Sequence, residues 1–339
     1  MIDILSMNFA ELNKYMEELG EKSFRAQQIF RWLHKSYVPD FGDMTNISKN
    51  LRERLAGECE IRLPKIMQVQ QSRKDGTRKY LMKLSDGELV ESVLMEYEHG
   101  LSACISSQVG CAMGCAFCAS TVGGLVRSLF ASEMVGQIYT MTEDIGKRIS
   151  SVVVMGIGEP LDNYENLLRF IELITDDKGY DLSGRGITVS TCGLCDRIDE
   201  MSELSLPITL AVSLHASNQQ KREKIMPVAR RYDMDRLLAT CRNYFEKTGR
   251  RLTFEYALIA GENDSERDAV SLASILKDMH AHVNLIPVNP ARENMRAPDK
   301  ASVCVFRERL MRLGVNATVR RTLGSDIDGA CGQLRRKNI

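Results

Sequence analysis

The chain has 339 residues, 44% of them hydrophobic and 27% charged, enough to bury a large core and unlike a disordered or fibrous sequence. Its 45 basic and 45 acidic side chains cancel, which excludes a global pull toward nucleic acid or an anionic membrane; any RNA contact must rest on local basic patches. No run approaches the roughly 20 apolar residues of a membrane span and no basic-then-apolar leader opens the chain, so a soluble cytoplasmic protein is expected, with its ten cysteines kept as thiols and ligands.

Residues 1–62 carry helical periodicity, as in Phe24 to Leu33, where apolar positions recur three and four apart, and predict a small helical domain. Residues 63–98 switch to short alternating strands broken by Lys74-Asp75-Gly76 and Ser85-Asp86-Gly87, the turn chemistry of antiparallel hairpins. From 99 to 339 strand and helix alternate, with strand-like runs near 102–107, 151–155, 187–191, 208–214, 252–259, 283–288 and 316–321. Most are short apolar runs suited to a parallel sheet buried on both faces. This is an α/β fold, a curved sheet or partial barrel whose chemistry is expected in loops at the carboxyl ends of the strands. Cys59, Cys241 and Cys304 fall in mostly apolar, helix-like patterns and are expected to be buried structural thiols.

Directly after the first of those strands comes Gly110-Cys111-Ala112-Met113-Gly114-Cys115-Ala116-Phe117-Cys118, a C-x-x-x-C-x-x-C loop. Thiolates prefer iron and zinc, and a 4Fe-4S cubane normally takes four cysteines. Cys111, Cys115 and Cys118 as metal ligands leave one iron open, able to chelate the amino and carboxylate groups of S-adenosylmethionine (SAM) and pass an electron to its sulfonium. A structural zinc loop would need a fourth ligand, and none of the five histidines lies within the loop.

One β/α unit later, Met155-Gly156-Ile157-Gly158-Glu159-Pro160 closes a strand. Gly158 permits close backbone approach and Glu159 can accept from the ammonium of SAM; the turn looks like the GEP motif of radical SAM enzymes. Ser190, Ser213, Leu214, His215 and Asn289 lie at or near later strand ends, where they complete the expected cofactor-binding set. The pair Cys192 and Cys195 is a bare C-x-x-C with undistinctive residues between and is given no chemistry.

Beyond these motifs, the segment from Cys104 to Cys111, Ser213-Leu214-His215, Asn284 to Pro290, and the terminal stretch Asp326 to Leu334 containing Ala330-Cys331-Gly332-Gln333-Leu334 resemble the bacterial radical SAM adenine-C2 RNA methyltransferases, the RlmN type, over nearly the whole chain. The resemblance implies a partial (β/α)6 radical SAM barrel with an antiparallel β extension and a helical amino-terminal domain that contacts RNA. It also implies three catalytic residues. Cys331 takes a methyl group from one SAM, a second SAM supplies the radical that activates it, Glu91 accepts the proton lost from the adenine ring, and Cys104 releases product by forming a disulfide with Cys331. Adenine C2 is an electron-poor carbon that cannot readily attack a methyl sulfonium, which is why radical chemistry is needed.

The implied substrates are an adenosine in the peptidyl-transferase region of 23S ribosomal RNA and the adenosine 3′ of the anticodon in some tRNAs, with flavodoxin or ferredoxin as electron donor and a monomeric, membrane-free enzyme. Arg25, Arg31, Arg320, Arg321, Arg335, Arg336 and Lys337 are candidate backbone contacts. Read without the family, Cys331 is an incidental thiol and Glu91 a solvated strand residue. Two alternatives stand beside the adenine-C2 reading: the sister adenine-C8 methyltransferases of the Cfr type, disfavoured by Pro160, and a non-catalytic iron-sulfur or zinc RNA-binding scaffold.

Overall fold

The computed structural model describes residues 1–277, 279–289, 295–321 and 323–327. Its amino-terminal part is helical, as the periodicity predicts: α1 (Phe9–Glu18), α2 (Phe24–His34) and α3 (Lys49–Glu58). Asn8 caps α1 in a reciprocal box with Glu11. Two short strands that the sequence did not announce, β1 (Ile2–Asp3) and β2 (Cys59–Glu60), pair in parallel and tie the two ends of this region together. Phe30 packs edge-on against Phe9, and buried His34 meets the Tyr139 hydroxyl at 2.9 Å, which seats the helices on the rest of the molecule.

The remainder is built on one ten-stranded sheet. The antiparallel edge runs β3 (Lys65–Gln71), β4 (Arg78–Lys83) and β5 (Leu89–Tyr97), joined by the two predicted turns, and β5 pairs antiparallel with β6 (Gly100–Cys104). After β6 comes an unforeseen antiparallel ribbon, β7 (Gln108–Gly110) with β8 (Leu125–Ser128), which brackets the cysteine loop.

Six β/α units then follow, closed by a seventh parallel strand. They run from β6 through α4 (Ala131–Ile145), β9 (Ser151–Val154), α5 (Tyr164–Thr175), β10 (Ile187–Thr191), α6 (Cys195–Glu203) and β11 (Thr209–Ser213). The chain continues through α7 (Gln219–Ile225), α8 (Met234–Thr248), β12 (Leu252–Leu258), α9 (Glu266–Ile275), β13 (Ala281–Pro287), α10 (Lys300–Arg312) and β14 (Asn316–Val319). Thr77 beside β4 and Arg320 beyond β14 line the same cavity although their strands lie near opposite ends of the sheet order, so the sheet curls round it. This is the expected partial (β/α)6 barrel with its antiparallel extension.

The apolar core is nearly continuous from the amino-terminal helices through both faces of the sheet. Cys59 and Cys241 are buried in it, but Cys304 is exposed: α10 turns Val303, Phe306 and Leu310 inward and leaves Cys304 on its outer face, correcting the sequence expectation. Among the described residues, no helix is long and apolar enough to cross a membrane.

Candidate functional site

The carboxyl ends of the parallel strands surround a cavity of about 550 Å³, a size suited to a nucleoside-like ligand. It brings together Cys104, Cys118, Ser190, Ser213, His215 and Asn289 from the expected set. Arg320 and Arg321 are also on its wall, whereas Arg335, Arg336, Lys337 and Cys331 lie outside the described residues.

The cysteine loop is shaped by its backbone. Gly110 has φ +79°, and a Cβ there would stand 2.0 Å from the Gly124 carbonyl, so only glycine lets β7 and β8 approach so closely. The Cys111 N–H donates to that carbonyl at 3.0 Å, the Ala116 N–H donates to Ile225 O at 2.8 Å, and the Thr121 hydroxyl donates to Cys118 O at 2.9 Å. Burial pushes the Cys111 and Cys115 thiols up to about 12, and mutual repulsion with the Cys118 thiol adds to the effect. Cys111 and Cys115 so placed ionise only if a strong cation compensates them.

The donor set is all sulfur, with no carboxylate or imidazole inside the loop. Among the described residues, no three His, Cys, Asp or Glu side chains converge as ligands of a single metal ion. A cluster asks for something else, since each of its irons takes one thiolate. The loop therefore fits a three-cysteine cluster in chemistry and spacing.

The glycine turn after β9 is equally constrained. A Cβ on Gly156 would sit 2.7 Å from the Ile105 backbone, and one on Gly158, at φ +111°, would sit 2.6 Å from Gln108 Cβ. Glu159 ties this turn to its neighbour. Its carboxylate accepts from the Cys192 N–H at 2.7 Å and the Leu161 N–H at 3.1 Å, joining the loops after β9 and β10, and it is absent from the cavity wall. Burial raises its pKa, and the two backbone donors oppose that rise. Its side chain thus braces the turn.

His215 has φ +57°, and its Nδ1 accepts from the Ala257 N–H at 2.9 Å, which puts the proton of the neutral ring on Nε2. Burial lowers its pKa to about 3, so the ring stays neutral. Phe117 from the cysteine loop meets its ring edge-on at 4.8 Å. Leu214 is buried behind the wall rather than on it, and its N–H donates to Glu255 O at 3.1 Å.

Glu91 is no solvated strand residue. It is buried on β5, on the face that carries Val93, Met95 and Tyr97 to the cavity, and its carboxylate lies 3.0 Å from the ammonium of fully buried Lys79. Glu91 itself is not on the cavity wall. Cys104 pairs in register with Val93 and packs with Val93, Met95 and Leu323. The last described segment is tied to the hairpin turn before β4: Asp326 accepts from the Ser72 hydroxyl at 2.6 Å and the Arg73 N–H at 2.9 Å, and the Gly324 N–H donates to Asp75 at 2.8 Å.

Three polar residues of the site were missed from sequence. Lys79 is one, and fully buried Arg222 behind the cysteine loop is another. The third is Glu255, on the cavity wall, with its carboxylate accepting from Asn284 Nδ2 at 3.0 Å and its pKa pushed up to about 7 by burial. The signal for Glu255 was available, because it is the one charged residue in the run Leu252–Leu258.

A curled parallel sheet with a three-cysteine loop beside a cavity at its carboxyl edge defines a radical SAM enzyme, and residues 105–273 match the Radical SAM superfamily. Residues 2–61 match the ribosomal RNA large subunit methyltransferase N-terminal domain. A probable dual-specificity RNA methyltransferase RlmN from Lachnospira eligens is 51% identical, covering 99% of this chain and 97% of that protein. One from Alkaliphilus oremlandii is also 51% identical, over 100% and 98%. The crystal structure of a radical SAM methyltransferase from Sphaerobacter thermophilus superposes with a TM-score of 0.94 at 39% identity, covering 98% of this chain and 99% of that one. The chain belongs to the RlmN family of dual-specificity RNA methyltransferases. Membership implies a 4Fe-4S cluster and SAM, and disfavours the C8 and scaffold alternatives.

Proposed function

We propose that this protein methylates C2 of one adenosine in the peptidyl-transferase region of 23S ribosomal RNA and of the adenosine 3′ of the anticodon in some tRNAs, using two SAM molecules per turnover. The observation that carries the reading is the cavity itself. It gathers Cys104, Cys118, Ser190, Ser213, His215 and Asn289 from five separate strand ends and loops around a space that suits an adenosyl group.

Cys111, Cys115 and Cys118 hold the cluster, and Gly158 with the turn braced by Glu159 lets the backbone approach the methionyl end of SAM. When bound, the cluster and SAM supply a 5′-deoxyadenosyl radical. Ser190, Ser213 and Asn289 offer hydroxyl and amide groups to the nucleoside part, and His215 offers Nε2–H; Leu214 orients the strand end by packing behind it.

Cys331 carries the methyl group to the base as a thioether. Glu91, held by Lys79, would take the proton from C2, and Cys104 would bond to the Cys331 sulfur as the bond from that sulfur to carbon breaks, freeing the methylated base and leaving a disulfide; the one electron left over from the ring radical would be accepted by the iron-sulfur cluster when it is bound. An external dithiol must then return the pair to thiols. We assign residues 1–62 to an RNA-contacting domain, 63–98 to the β extension and 99–339 to the catalytic barrel and tail, in a cytoplasmic monomer served by a flavodoxin or ferredoxin. A splayed, single-stranded adenine suits a cavity of this volume.

The test is anaerobic reconstitution with iron, sulfide, SAM and reductant, followed by mass spectrometry of a 23S fragment and of tRNA. 2-Methyladenosine in both is expected from the native chain, and none from Cys111→Ala, Cys115→Ala or Cys118→Ala, each of which should also lose its iron. 8-Methyladenosine instead would overturn the position, and full iron in a cysteine variant would overturn the ligand assignment.

A further inference from the structure

Behind the cysteine loop lies a buried cation that no carboxylate among the described residues matches. Arg222 in α7 is wholly buried. Its Nη2 donates to the carbonyls of Cys192 at 2.7 Å and Ser213 at 3.4 Å, and its Nη1 donates to that of Tyr232 at 3.3 Å. Among the described residues its Nε has no partner and no carboxylate stands within ion-pair distance. Three neutral carbonyls satisfy hydrogen bonds but do not neutralise a charge, and an uncompensated buried charge costs several kcal/mol.

Burial works against the charge of the guanidinium, whereas ionised thiols at Cys192, Cys195, Cys115 and Cys241 would favour it; Cys115 is one of the assigned cluster ligands, and Cys192 is tied to the guanidinium directly through its carbonyl. The placement is built into the fold. One turn beyond Arg222, the Ile225 carbonyl accepts from Ala116 inside the cysteine loop at 2.8 Å, and Pro227 closes against Gly114. The same short helix that grips the loop therefore holds the cation beside it.

We propose that Arg222 is the electrostatic counterpart of the iron-sulfur cluster, a positioning residue that raises the cluster's reduction potential by stabilising the added negative charge. The proposal rests on Cys111, Cys115 and Cys118 being the ligands. A cubane held by three thiolates is anionic, and a one-electron reduction adds one more negative charge with no proton required. A fixed cation in low dielectric favours the more negative state, and net charge and burial are among the terms that set such potentials. The carbonyl bracket keeps the guanidinium from turning away to solvent.

The experiment is a dithionite titration with mediators, followed by electron paramagnetic resonance, on anaerobically reconstituted wild type and on R222K, R222Q and R222M, without SAM. The neutral variants should be about tenfold harder to reduce at a given poise, 59 mV for a one-electron couple, whereas R222K stays near the wild-type value. Neutral variants that fold by circular dichroism but retain no iron, beside an R222K that does, would also support the role of charge. Equal potentials in all four proteins would overturn it. So would an equal shift in R222K, which would assign the effect to packing, or failure of both neutral apoproteins to fold while R222K folds, which would make the charge structural. Iron is measured on every sample: a wild type without about four irons per chain sinks the ligand assignment, while full iron with unmoved potentials sinks only the role of Arg222.

Discussion

Lys79 and Glu91 face one another across neighbouring strands β4 and β5, ammonium to carboxylate at 3.0 Å, with 0% and 3% of their side chains exposed. A pair so far from water contributes little net stability as a pair, but each half makes the other tolerable. Removing one partner of a buried pair typically costs about 3–5 kcal/mol, whereas replacing both with apolar side chains of similar volume is often neutral. Lys79→Met should therefore lower the free energy of unfolding in urea by about 3 kcal/mol, and Lys79→Met with Glu91→Leu should recover most of it. Additive losses in the double variant would mean the two residues are not coupled.

Glu255 makes stability depend on pH. Burial against the cavity pushes its carboxyl up to about 7, while Arg320 and the Asn284 amide act the other way. In the unfolded chain the same group titrates near its ordinary value of 4.5. Between those two values the folded state holds one proton more than the unfolded state, so stability falls as pH rises through the window and is flat above it. Glu255→Gln carries no such charge. The variant should be more stable than wild type at pH 8, on the order of 2 kcal/mol, with the difference shrinking toward pH 5. Urea unfolding of the reduced apoproteins at the two pH values checks this, and a gap that widens on acidification would refute it.

These two residues also show where sequence reasoning stops. Strands β9 to β14 were legible because parallel strands covered on both faces are written as apolar runs, Val152 to Val154 being the plainest. Glu255 breaks such a run and could have been suspected. Lys79 could not: beside Arg78 and Lys83 it reads as part of a solvated basic face, and its burial depends on β4 lying between β3 and β5 with Glu91 as its diagonal neighbour. The β7–β8 ribbon was hidden for a similar reason, since its register depends on the contact between Gly110 and Gly124, fourteen residues apart. Glu159 was found, but its bonds from the Cys192 and Leu161 N–H groups were not, because a sequence does not reveal which backbone donors the fold brings beside it.

Residues 323–327 are fixed by a few polar ties that can be cut singly. Asp326 accepts from Ser72 and Arg73, and Asp75 accepts from Gly324, while Leu323 packs beside Cys104. Asp326→Ala with Asp75→Ala should loosen this segment and leave the barrel intact, because neither carboxylate belongs to the core. Limited trypsin digestion should then cut after Arg320 or Arg321 several-fold faster than in wild type, with an unchanged melting temperature. An unchanged cleavage rate would show that apolar packing alone holds the segment.

Cys104 offers the most discriminating test of the proposed chemistry, because its task begins only after carbon already joins Cys331 to adenine. The thiol is buried at the end of β6, packed against Val93, Met95 and Leu323, and lies on the cavity wall. Cys104→Ala removes little volume from a small apolar cluster, so the fold should persist. It leaves methyl loading of Cys331, SAM cleavage and ring addition intact but takes away the sulfur that attacks Cys331. The variant should therefore accumulate covalently joined to RNA in cells. The joint should survive both denaturant and thiol reductant, because a carbon–sulfur bond resists what would break a disulfide. Nuclease digestion and mass spectrometry should find the nucleotide on the peptide containing Cys331, and adding Cys331→Ala should abolish the adduct. A Cys104→Ala protein that purifies free of RNA and turns over at the wild-type rate would remove Cys104 from the mechanism.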